Sequence, residues 1–196
     1  MFIELTDHLR CPEEHDEALL VLLPDRVEGR SVREGTLGCP VCDRRFTLRE
    51  GVFDAGTGPA PEESRATRLT PEAIAALIGL GGPGGYLALV GAPGAGWREQ
   101  ASLVPGVGLV AVNPPAGVVD GDGLSVIRAG RLPLKTHSMR GVVLGAPYGG
   151  DVAWVREAAR VLLPGLRVAG EGPDPDPALI ELMASADGVW VGIRRR

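Results

Sequence analysis

Three cysteines and one nearby histidine are the residues whose types and spacing point most directly to chemistry. Cys11-Pro12-Glu13-Glu14-His15 forms a Cys-x3-His knuckle and Cys39-Pro40-Val41-Cys42 a Cys-Pro-x-Cys knuckle, and every cysteine of the 196-residue chain falls within this stretch. Two tight turns delivering three thiolates and a neutral imidazole match the needs of tetrahedral zinc. With all four ligands supplied by protein no coordination position stays open, so the expected site is structural, not catalytic. The Cys39/Cys42 pair carries most of this signal. At the first knuckle a cysteine would be usual where His15 stands, and His15 lies one residue beyond the common spacing. His8 and then Asp16 therefore compete with it for the fourth place. The alternative is that these are ordinary turn residues without a metal.

A second candidate lies further on. The apolar run Tyr86-Leu87-Ala88-Leu89-Val90 leads into Gly91-Ala92-Pro93-Gly94-Ala95-Gly96. Glycines after a strand let the backbone come close to a ligand. The turn has no Gly-Lys-Ser/Thr, which excludes a nucleoside-triphosphate loop. His137, Ser138 and Asp151 could sketch a hydrolase triad, but no Gly-x-Ser-x-Gly elbow accompanies them.

These residues must be positioned by two kinds of element. In the N-terminal part, Leu5 to Leu9 reads as one helical turn. Ala18 to Leu23 reads as a buried strand ended by Pro24-Asp25, Val27 to Val32 as its partner, and Arg45 to Arg49 as a third strand. That gives a small β module over residues 1–56, too small to hold its shape without metal. The Gly/Pro-rich stretch that follows is a linker over 57–68. Thr70-Pro71-Glu72 is a helix start with cap, proline and acid in place. Strands are then expected at Tyr86–Val90, Val107–Val112, Leu124–Ile127, Gly141–Leu144, Leu166–Ala169 and Gly188–Ile193. Helices are expected from Trp97 to Leu103, from Asp151 to Leu162 and from Pro177 to Ala184. Near-continuous apolar strands alternating with helices indicate an α/β, mostly parallel, Rossmann-like sheet over 69–196. Its cover should be sparse at 114–123 and 128–139, where the loops are too short or broken for long crossover helices.

Charge and composition limit the function. The net charge is −5, and residues 1–56 hold seven Arg against twelve Asp/Glu. An acidic module is a poor nucleic-acid surface, so nucleic acid is not expected as a direct ligand. Arg194-Arg195-Arg196 reads as a solvated tail. No apolar run reaches the length of a membrane span, and no secretory signal is visible. Three cysteines in zinc-like spacing suit a reducing compartment, so a cytoplasmic location is expected.

Residues 1–56 resemble the small zinc-ribbon proteins that bind and activate methyltransferases. The matching residues are Leu9-x-Cys11-Pro12, Leu37-x-Cys39-Pro40-x-Cys42, Phe46 and Arg49-Glu50-Gly51-Val52. That resemblance implies docking to a methyltransferase sheet by strand addition. The C-terminal part resembles the class I S-adenosylmethionine-dependent methyltransferases. Glu157-Ala158-Ala159-Arg160-Val161-Leu162-Leu163-Pro164-Gly165 matches the family's helix-to-strand segment, a packing feature that binds nothing. The resemblance implies that Gly91, Gly94, Gly96 and Asn113 would face the cofactor. It departs from the family in three acids: none ends the first strand, Asn113 stands where an acid would hold the ribose hydroxyls, and Ala129 to Leu134 matches the third motif without its acid. Ala146-Pro147-Tyr148-Gly149 has some likeness to the Pro-Pro-Tyr loop of amino-group methyltransferases, as does Asn113-Pro114-Pro115 at the wrong strand. Both read more simply as turns.

The expected function is a zinc-binding, methyltransferase-like protein that is non-catalytic or cofactor-impaired and acts through a protein partner or self-association. The alternative is a working S-adenosylmethionine-dependent methyltransferase of unknown substrate.

Overall fold

A computed structural model describes residues 1–60, 63 and 65–195. The middle of the expected linker (61, 62 and 64) and the last residue of the Arg tail (196) lie outside the described residues. Among the described residues no helix is long and apolar enough to cross a membrane.

The order of elements is β1 (Val21–Glu28), β2 (Ser31–Gly38), β3 (Arg45–Arg49), β4 (Val52–Asp54), α1 (Pro71–Ile78), β5 (Tyr86–Val90), α2 (Trp97–Leu103), β6 (Gly108–Val112), β7 (Leu124–Arg128), β8 (Met139–Leu144), α3 (Val152–Val161), β9 (Leu162–Glu171), β10 (Ile180–Ala186) and β11 (Val189–Arg194). All eleven strands form one sheet, ordered β1-β2-β3-β4-β7-β6-β5-β8-β9-β11-β10. Strands β7-β6-β5-β8-β9 run parallel, and β11 returns antiparallel between β9 and β10. The result is the expected α/β, Rossmann-like sheet. The N-terminal strands continue it because β4 pairs in parallel with β7, Val52 against Val126 and Asp54 against Arg128.

Alternation along β5 explains the apolar runs. Ala88 and Val90 belong to one core cluster and Leu87 and Leu89 to the other. A strand buried on both faces has no polar side to show. Ile74 and Ile78 of α1, with Trp97 of α2, cover the Leu87/Leu89 face. Thr70 caps α1 by accepting from the Ala73 N–H at 3.3 Å, and Gly79 ends it in the left-handed conformation. Asp151 caps α3 by accepting from Ala153 at 2.8 Å. The opposite face is covered by α3 and, where a crossover helix is lacking, by the N-terminus itself. Met1, Leu5 and Leu9 are fully buried in the cluster that holds Ala88, Val110 and Ile127. Hydrogen bonds fix this cover: Phe2 N–H donates to Ser125 Oγ at 2.9 Å, Arg10 N–H to the Pro133 carbonyl at 3.1 Å, and Lys135 N–H to the His8 carbonyl at 2.7 Å. Burying a leucine is worth roughly 1.5–3 kcal/mol, so Leu5 and Leu9 alone tie the two parts together firmly.

Two expectations are corrected. The first strand is neither buried nor ended by Pro24: β1 starts at Val21, leaves Val21 and Leu23 exposed and passes through Pro24 to Glu28 with an irregular register at Pro24/Arg26, and its partner starts at Ser31, not Val27. Because β1 is an edge strand, the missing proline N–H removes no necessary ladder bond. The expected helix from Pro177 to Ala184 is largely strand β10. Asp187 and Gly188, both at positive φ, form the turn to β11. An Asp-Gly turn favours a hairpin, and pairing with β11 overrides the helix propensity of Leu, Glu, Met and Ala.

Candidate metal centre and strand-end crevice

The two knuckles meet. The ligand atoms of Cys11, His15, Cys39 and Cys42 all lie within 4.8 Å of one another. Cys11 Sγ is 3.7 Å from Cys42 Sγ, and Cys39 Sγ is 3.4 Å from His15 Nε2. Metal–sulfur bonds of about 2.3 Å at tetrahedral angles put sulfurs about 3.8 Å apart, so the spacing and the donor set fit a tetrahedral ion. The second knuckle is closed by Asp43 N–H donating to the Cys39 carbonyl at 3.1 Å and by Val41 N–H pointing at Cys39 Sγ at 3.4 Å. The first is held by Cys11 N–H on the Ala18 carbonyl at 2.9 Å. His15 Nδ1 sits 2.6 Å from the Asp16 carbonyl. Donation there leaves Nε2 with its lone pair toward the sulfurs, the usual way an imidazole ligand is oriented. His8 is not in the cluster, and Asp16 contributes only its backbone carbonyl.

The thiols differ in acidity. Burial drives Cys11 up to about 12. Burial pushes Cys39 the same way, but the backbone N–H groups of Cys42 and Val41 outweigh it and hold the thiol at about 7. A metal would take both as thiolates and release protons as it binds.

The second site follows from topology. The chain moves from β5 outward to β6 and β7, then returns to β8 on the other side of β5, so β5 and β8 flank the switch point. In open α/β sheets ligands bind at the carboxyl ends of the strands there. A cavity of about 400 Å³ occupies that place, between the ends of β5 (Gly91, Ala92), β6 (Asn113 to Pro115) and β8 (Ala146 to Tyr148), with Gly130 and Trp154 beside them. The loop 146–149, which the sequence favours as a plain turn, is thus a cavity wall. Its start two residues past Leu144, the last residue of β8, is the available signal.

Of the four expected cofactor residues, the cavity collects Gly91 and Asn113 but not Gly94 or Gly96. Each has an intramolecular role. A Cβ on Gly91, which is at φ +75°, would meet the Tyr148 ring at 2.8 Å; one on Gly94 would meet Pro114 at 3.0 Å, and one on Gly96 would meet Pro71 at 2.9 Å. Asn113 is buried. Its Nδ2 donates to the Ala129 carbonyl at 2.7 Å and its Oδ1 accepts from the Ala129 N–H at 2.9 Å. Arg128 donates to the Pro114 carbonyl at 2.8 Å, and burial lowers its pKa against the pull of Tyr148 and Asp54. Two described stretches of the chain between β4 and α1, on either side of residues 61–64, are pinned near the same edge. Gly130 N–H donates to Thr57 Oγ1 at 3.1 Å, while Thr67 Oγ1 and Arg68 N–H donate to the buried Glu171 carboxylate at 2.8 and 2.6 Å.

No protein-family model matches the chain, and no curated relative matches it by sequence. Similar solved structures include a candidate S-adenosyl-L-methionine-dependent methyltransferase of Methanococcus maripaludis, with 10% identity over 64% of this chain and 83% of that one, at a TM-score of 0.46. The geranyl diphosphate C-methyltransferase of Streptomyces coelicolor, in complex with Mg2+, geranyl-S-thiolodiphosphate and S-adenosyl-L-homocysteine, shows 16% identity over 51% and 41%, at 0.44. A complex between the Trm112 methyltransferase activator of Haloferax volcanii and a candidate methyltransferase shows 21% identity over 52% and 50%, at 0.42. This chain thus spans two fifths to half the length of the latter two.

Proposed function

We propose that this chain is a zinc-stabilised, methyltransferase-like protein that does not use S-adenosylmethionine and acts by binding other molecules. The observation that carries this reading is Asn113. At the end of β6, where a ribose diol needs a free acceptor, the side chain has both polar ends committed to Ala129. An adenosyl cofactor would have to displace that pair without gaining a carboxylate in return, a poor exchange for a buried polar group. The turn after β5 supports the same conclusion, because the Tyr148 ring occupies the approach that Gly91 opens. The cofactor does not fit the residues present, and no catalytic step is derived through it.

Zinc fits. Residues 1–56 act as a zinc ribbon whose sheet-adding edge is used within the chain, through β4 on β7. A protein partner would therefore meet the ribbon's outer face, where Val21, Leu23 and Val41 are exposed. The acidic balance of that part argues against nucleic acid.

Isothermal titration with S-adenosylmethionine and S-adenosylhomocysteine tests the reading. No heat and no thermal shift at millimolar ligand is expected. Micromolar binding would overturn it in favour of an active methyltransferase.

A further inference from the structure

We infer that the free edge of β10 is a self-association surface, on which the same strand of a second copy pairs antiparallel about a two-fold axis. This goes beyond the partner face assigned to the ribbon and is independent of whether the crevice takes a cofactor. The sheet ends in two edges, β1 and β10. An unpaired edge offers a row of N–H and C=O groups to any other strand, and proteins guard such edges with proline, charge and bulges. β1 is guarded in all three ways. Pro24 lies in it, its register is irregular from Pro24 to Val27, and Asp25, Arg26 and Glu28 charge it, with Arg26 held by Glu28 at 2.9 Å and by Glu34 at 3.3 Å. β10 has a register shift between Leu182 and Ala184 but no proline. Between Glu181 and Asp187 it reads Leu182-Met183-Ala184-Ser185-Ala186, without a charge.

β10 also has little support. Glu181 to Ala186 are exposed, and they are so on both faces. Residues directly opposite in an antiparallel pair share a face. Ser185 lies opposite Trp190, which packs in the cluster of Ala88 and Val90, and Ala184 opposite Val191, which packs in that of Leu87 and Leu89. The chain entering β10 does not close the edge: its Asp174 carboxylate accepts from Ser185 Oγ at 2.6 Å, which places it over the Trp190 face and not in the plane of the sheet. Among the described residues β10 pairs with β11 alone. Leu182 and Met183 stand in solvent, where cross-strand neighbours would shelter them.

A second copy fits this edge better than a foreign strand. Specific capture of a foreign peptide relies on side-chain pockets beside the edge, and a strand exposed from Glu181 to Ala186 supplies no walls for them. Self-pairing needs only the main chain and an absence of repulsion. In antiparallel self-pairing Glu181 and Asp187 face each other only in the register centred on Ala184, and the next register on either side sets both against uncharged residues. Pairing β10 with β1 of another copy would build an open filament, which the guards on β1 oppose. The two-fold arrangement closes at two copies.

Sedimentation velocity of the full-length, zinc-loaded protein tests this. A monomer–dimer equilibrium with Kd on the order of 10 µM is expected, as suits a small, mainly main-chain interface. Ala184→Lys and Ala184→Glu, at an exposed position, should each weaken the dimer at least about tenfold, because like charges then meet across the axis. The thermal midpoint of dilute protein should stay near the parent's. An equimolar mixture of the two variants should recover a dimer, which a folding defect would not do. The inference fails if the parent is monomeric at about 200 µM, which leaves an extended segment of another protein as the occupant of the edge. It fails too if both charge variants fold and dimerise as the parent does. Dissociation by Leu23→Lys in place of the Ala184 variants would likewise overturn it and move self-association to the ribbon's outer face.

Discussion

Asn113 holds Ala129 by both ends of its carboxamide, at 2.7 and 2.9 Å, from a backbone at φ +49°. The pair extends the β6–β7 ladder by one side chain and fixes the entry of the 129–136 loop. Asn tolerates positive φ better than most residues. Asn113→Ala leaves two buried backbone groups without partners and strains the turn, so a loss of about 2–4 kcal/mol is expected in urea unfolding. Asn113→Asp keeps the bond from Ala129 N–H but sets a carboxylate against the Ala129 carbonyl. It should also destabilise, and it should not create binding of S-adenosylmethionine in a calorimeter, because Tyr148 still covers Gly91.

Gly91 and Tyr148 make a second coupled pair. Gly91→Ala would place a methyl 2.8 Å from the ring at φ +75°, with an expected cost of about 2–3 kcal/mol. Truncating the ring in Tyr148→Ala removes the clash but not the backbone strain. A double-mutant cycle should therefore show a favourable coupling of about 1 kcal/mol. Additive losses would mean that the ring moves freely.

Metal removal should act on the whole chain. Cys39→Ser and Cys42→Ser should each abolish the expected one equivalent of zinc, measured by elemental analysis, and unfold β1 to β3. Since Met1, Leu5 and Leu9 cover the main sheet, chelation should also lower the melting temperature of the α/β part, read in the near-ultraviolet signal of Trp97, Trp154 and Trp190, all of which lie there. His15→Ala should weaken zinc binding. His8→Ala should leave zinc content unchanged.

Acid should weaken the contact between α3 and the 129–136 loop. Glu157 is buried, which raises its carboxyl, but Arg160, Arg10 and Arg131 outweigh this and hold it below the usual carboxylate range. A carboxyl whose pKa is lower in the folded state stabilises fully above its unfolded value, about 4.3, and loses that contribution as pH falls through the folded value. Glu157→Gln should be less stable than the parent at pH 7, and the gap should narrow in melts taken from pH 5 to pH 3.

The sequence by itself determined the features set by local chemistry. The knuckles are legible because thiolates in short turns have few other uses. The caps at Thr70 and Asp151 are legible because an orphan N–H needs an acceptor nearby, and the parallel strands because burial on both faces leaves continuous apolar runs. The tertiary structure decided what depends on partners distant along the chain. It made residues 180–186 a strand by giving them β11, and let β1 run through Pro24 by leaving that strand at an edge. It used the N-terminal segment in place of a crossover helix and joined β4 to β7. It also revealed why the turn after β5 is rich in glycine: Tyr148, Pro114 and Pro71 fill the space a side chain would need. A glycine in a sequence announces close approach, and only packing shows what approaches.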